Sequence, residues 1–69
     1  MYGYHLVLAS VVGLRDGMAL ELTRDVDGAR IAEVFEDDET RLRTFTSFFD
    51  QPVPIEAIEW LITKARERL

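Results

Sequence analysis

Apolar and polar residues alternate along four stretches of this chain before the period changes to that of a helix. In residues 18–23, Met18, Leu20 and Leu22 point one way while Ala19, Glu21 and Thr23 point the other. That pattern belongs to a half-buried strand. Residues 4–12 set Leu6 and Leu8 against Val7, Ala9 and Val11, so both faces of this strand are apolar. Residues 30–36 set Ile31, Glu33 and Phe35 against Arg30, Ala32, Val34 and Glu36. Residues 41–49 set Leu42, Thr44, Thr46 and Phe48 against Arg43, Phe45, Ser47 and Phe49, again with aromatics on both sides. Asp16-Gly17 and Asp27-Gly28 separate the first three strands and read as hairpin turns, because Gly accepts positive φ and Asp tolerates it. The charged run Asp37-Asp38-Glu39-Thr40 makes the third break.

Pro52 and Pro54 stop the last strand, and Pro54 is placed to open a helix over residues 54–69. Glu56 and Glu59 lie near the positive end of its dipole and Lys64, Arg66 and Arg68 near the negative end. Val53 is a poor N-cap, which leaves Asp50 as the nearest acid able to serve. On this helix Ile55, Ile58, Leu61, Ile62, Ala65 and Leu69 form a stripe roughly 120° wide, the expected core face. Trp60 projects about 160° from its centre. The only tryptophan is therefore expected on the outer face beside Ala57 and Lys64, where it serves an interface or is covered by Tyr2, Tyr4 or residues 50–53. The fold expected is α+β: a four-stranded antiparallel meander followed by one C-terminal helix packed on one face, β-β-β-β-α, in one domain spanning residues 1–69. The uncovered sheet face is expected to carry Val7 and Phe45 and to be too apolar for water.

Length and composition narrow the function classes. A chain of 69 residues buries only about 60% of its unfolded surface. It has no cysteine and one histidine, so neither disulfides nor a zinc site of the usual kind can supply stability. With 48% hydrophobic residues, a homodimer is the expected solution. The net charge of -5 argues against nucleic acid and anionic membranes and favours a basic protein as partner. The longest apolar run, residues 5–12, is too short to span a membrane and lacks the flanks of a signal peptide, which points to a cytoplasmic protein, and the compactness of the chain points to a bacterial one.

Catalytic and ligand chemistry find little to work with. Asp25-Val26-Asp27-Gly28 is a fragment of a calcium loop, and no metal site is expected. His5 has serine candidates only in Ser10 and Ser47, with no glycine elbow around either, and Glu33, Glu36 and Asp38 are the carboxylates from which an acid-base pair would be drawn. All four glycines precede Ile31, away from the helix, so a phosphate cradle has no support and no cofactor is expected. Arg41, Arg43, Phe45 and Phe49 could form a cationic and aromatic platform for stacked bases. In its order of elements the chain resembles the whirly-like architecture of single-stranded-DNA-binding transcriptional coactivators; its acidic balance departs from them. That resemblance implies single-stranded nucleic-acid binding as the alternative function. The reading favoured by the residues is a small, non-catalytic, self-associating interaction or regulatory module, with Trp60, Ala57, Lys64, Phe45 and Val7 as its contact residues.

Overall fold

The computed structural model describes residues 1–13, 15–49 and 51–69. Four strands, β1 (Tyr4–Val11), β2 (Gly17–Arg24), β3 (Arg30–Asp37) and β4 (Arg43–Ser47), precede one helix, α1 (Ile55–Arg68). The strands form one antiparallel sheet in the order β1-β2-β3-β4, so every connection within it is a hairpin. This is the β-β-β-β-α arrangement that the alternation implied, with α1 lying across β2 and β3.

Register explains which residues face the helix. Leu6 pairs with Leu22 and Leu22 with Ala32, while Leu8 pairs with Leu20, Leu20 with Val34 and Val34 with Phe45. Directly paired residues share a face, so one side carries these apolar rows. The other carries Val7, Glu21, Glu33 and Thr46 in one row and Ala9, Ala19, Phe35 and Thr44 in the next. A register shift at Leu22/Thr23 leaves Ile31 as an extra residue in β3, and the bulge lets Ile31 join Ala32 in the core. Strict alternation had separated the two.

The helix is turned relative to its expected setting. Ala57, Leu61 and Ala65, four residues apart, are buried, whereas Ile55 and Ile62 are 69% and 38% exposed. The buried line is centred on Leu61, about 60° from the middle of the apolar stripe. Two alanines flanking one leucine let the helix backbone approach Leu20, Leu22 and Val34 closely, and the turn brings Trp60 down to pack against the core alongside Tyr4, Leu6 and Val53. An indole buries more area than an isoleucine side chain, which favours this setting at the expense of Ile55 and Ile62.

Two turn assignments also separate. Asp27-Gly28 is a turn: Gly28 has φ 69° and the Asp27 carboxylate accepts from the Ala29 N–H. Asp16-Gly17 is not, because Gly17 sits inside β2, paired with Val11 and Asp37. A Cβ there would run into the Glu36 carbonyl oxygen and lie 2.8 Å from the Phe35 ring. Close approach, rather than positive φ, is why this position holds glycine. The α1 N-cap is Pro54, one residue before the first helical position, and among the described residues no side chain caps it. Asp50, the expected candidate, lies outside the described residues.

Candidate interaction surface

The least covered part of the fold is β4 together with the flank of α1 that faces it. All five β4 residues are exposed. The Phe48 N–H donates to the Ile31 carbonyl and the Asp37 N–H to that of Leu42, so residues 42 and 48 face β3 through their backbone. Antiparallel ladders alternate. Thr44 and Thr46 therefore also face β3, and the N–H and C=O groups of Arg43, Phe45 and Ser47 point outward along an open edge. Beside that edge the Phe45 side chain stands on the helix side of the sheet, opposite Val34. Because α1 lies over β2 and β3, Phe45 stays 46% exposed. A groove of about 420 Å³ separates it from Ile62, floored by Val34 and Ala65 and rimmed by Arg43 and Arg66. Leu42, Phe48 and Phe49 on the flanks of the strand and Ile55 on the helix are further exposed apolar residues, the Phe48 ring lying on the opposite face against Arg30.

Two arginines near this edge, Arg41 and Arg43, are already engaged. Arg41 Nη1 donates to Glu36 Oε1 and Arg43 Nε to Glu36 Oε2, both at 3.1 Å, around a carboxylate that is largely buried. Within the group Arg41, Arg43, Phe45 and Phe49, both positive charges thus converge on one acid.

The opposite sheet face is not the bare apolar surface that the sequence suggested. Arg15, reaching back from the β1–β2 connection, lies 4.2 Å from the centre of the Phe35 ring and donates to both Glu33 oxygens at 3.1 and 3.0 Å. Arg30 donates to Glu21 Oε2 at 3.2 Å and lies 4.5 Å from the centre of the Phe48 ring. Glu33 is consequently only 1% exposed and Phe35 is buried, although no helix covers them. Guanidinium groups act here as both partner and lid.

These placements separate the five residues expected to form a contact surface. Phe45 and Val7 stand on opposite sides of the sheet rather than together, because Phe45 is in the Val34 row and Val7 in the Glu21 row. Ala57 is fully buried beneath the helix, so it cannot present an outer surface. Trp60 is partly buried and packed on the core, on the flank away from β4. Lys64 is half-buried and donates to Glu67 at 3.2 Å. Phe45 alone remains on the surface described above. Ile55 and Ile62 were missed as surface residues because the apolar stripe assigned them to the core; the signal that could have found them is the alanine pair flanking Leu61.

The remaining polar groups are arranged for local structure. His5 Nδ1 lies 2.6 Å from Asp25 Oδ1 in an exposed pair. Ser10 is on the other sheet face from His5, and Ser47 is on the far edge. Glu33 and Glu36 also point to opposite faces. A hydrogen bond from Arg24, aided by the Ala29 amide, holds the Asp27 carboxyl down at about 2. The amides of Thr40 and Glu39 lower that of Asp37. Among the described residues no three His, Asp or Glu side chains gather closely enough to hold a metal ion, and no helix is long and apolar enough to cross a membrane. No protein-family model matches the sequence, and no curated protein and no solved structure matches it.

Proposed function

We propose that this chain is a small non-catalytic interaction module that associates with a second copy of itself through β4 and the adjoining flank of α1. One observation carries the reading: the exposed strand, its open backbone edge, and the side chains of Phe45 and Ile62 lie side by side on one surface. Unpaired strand edges are templates for pairing with another chain, and contiguous exposed apolar surface marks association sites. The self-capped opposite face offers less, since its charges and rings already satisfy one another.

The experiment is a dilution series followed by amide NMR. Residues 42–49, Ile55 and Ile62 are expected to shift with concentration while Val7, Glu21 and Glu33 stay fixed. Shifts confined to the Val7 face would move the interface to the other side of the sheet, and spectra independent of concentration would refute self-association.

A further inference from the structure

Resting on the self-association proposed above, we infer that two copies join β4 to β4 antiparallel in one register, with the two-fold axis at Phe45, to make a continuous eight-stranded sheet. An isologous contact needs a self-complementary surface. Reading outward from Phe45 in both directions gives one: Thr44 meets Thr46 of the second copy, Arg43 meets Ser47, and Leu42 meets Phe48. Each row is then matched, threonine on threonine, apolar on apolar, and arginine opposite a neutral serine. Cross-strand pairs of these kinds are favourable, whereas like charges directly opposite are not.

Backbone geometry selects the same register. The outward-facing residues of β4 are Arg43, Phe45 and Ser47, as the bonds of the flanking residues 42 and 48 to β3 require. Only an axis at Phe45 pairs all three with one another, giving about six inter-chain hydrogen bonds. An axis at Thr44 or Thr46 sets one of the three opposite a residue outside β4, Arg41 or Phe49, and an axis at Arg43 puts that arginine opposite itself. A two-fold perpendicular to the sheet keeps both helices on one side, so each Phe45 packs near its symmetry mate on the floor between the two grooves. The competing edge, β1, is longer and has Met1, Tyr2, Val7, Leu8 and Val12 as exposed large hydrophobics around it, but no helix flank adjoins it with residues like Ile55 and Ile62, which join Leu42, Phe45, Phe48 and Phe49 around β4 among the described residues.

The chain contains no cysteine, so engineered disulfides report the register cleanly. In this register positions 44 and 46 of different copies form a non-hydrogen-bonded pair with Cα atoms about 4.5 Å apart. That separation suits a disulfide. Positions 44 and 44 are diagonal, with side chains about 7–8 Å apart, which is too far. Mixing Thr44→Cys with Thr46→Cys under mild oxidation is therefore expected to give a cross-linked heterodimer, while each variant alone stays unlinked. Ser47→Pro removes an outward N–H that makes no bond to β3, so the fold is retained while two inter-chain hydrogen bonds disappear by symmetry. The dissociation constant is expected to rise roughly tenfold or more with unchanged circular dichroism. Dimers that persist in Ser47→Pro and link instead through Val7→Cys would overturn the β4 assignment while leaving self-association intact. Thr44→Cys linking to itself would overturn the register alone, and a wild-type chain monomeric at every concentration would overturn both proposals.

Discussion

Arg15→Ala tests whether a single loop arginine closes the sheet face that lacks a helix. The Glu33 side chain is 2% exposed, and Arg15 supplies its two shortest contacts; Arg30 stands farther off at 4.0 Å. Breaking a fully buried pair by removing one partner costs about 3–5 kcal/mol. Arg15 itself is 44% exposed, so water enters when it leaves and much of the electrostatic part is screened. The lost charge-assisted hydrogen bonding and the lost stacking on Phe35 together leave an expected cost of about 2 kcal/mol. For a chain of 69 residues whose whole stability is about 3–10 kcal/mol, that is a large share. The melting temperature should fall by about 8–16 °C. Urea denaturation gives the free energy directly, and the double variant Arg15→Met/Glu33→Met should recover to within about 1 kcal/mol of wild type, since apolar groups replace the pair. Wild-type stability in Arg15→Ala, to within about 0.5 kcal/mol, would refute the view that this guanidinium seals the face.

Three further outcomes follow from local geometry. Gly17→Ala should destabilise by about 1–3 kcal/mol in urea melts, because its Cβ meets the Glu36 carbonyl and the Phe35 ring; a neutral effect would mean that β2 and β3 separate freely at that point. Asp27, with its folded pKa depressed to about 2 by Arg24, contributes stability that is present above the ordinary carboxylate range and is lost as pH falls from about 4 through 2. Carboxyl NMR should show that midpoint returning toward 3.8 in Arg24→Gln, and a wild-type midpoint already near 3.8 would contradict the pairing. Trp60, packed on the core away from β4, should emit at short wavelength at every protein concentration; a red shift on dilution would place it in an interface after all.

Much of the architecture was legible because it depends on short-range pattern. Period-two alternation located the four strands, and the proline pair with its following charge gradient located the helix. What escaped depends on contacts between distant residues. The helix setting is decided by how closely Ala57 and Ala65 let it approach β2 and β3, a competition between burying Trp60 and burying Ile55 that no helical wheel contains. The Ile31 bulge changes face assignments within one strand. The cover over Phe35 and Glu33 comes from Arg15, 18 residues before its carboxylate partner, in a loop whose conformation the alternation does not specify. The contact surface was therefore only partly readable: Phe45 stood out, but Ile62 across the groove from it and the exposed Ile55 had been assigned to the core, and its supposed companion Val7 is on the opposite face.

Sedimentation equilibrium of the wild-type chain over a wide dilution series distinguishes a closed dimer from a lone chain. Association through β4 predicts a mass that rises from that of the 7.9 kDa chain to twice that value and stops there, because a two-fold contact at one edge is closed. A constant mass of one chain, or growth beyond two without a plateau, would contradict it.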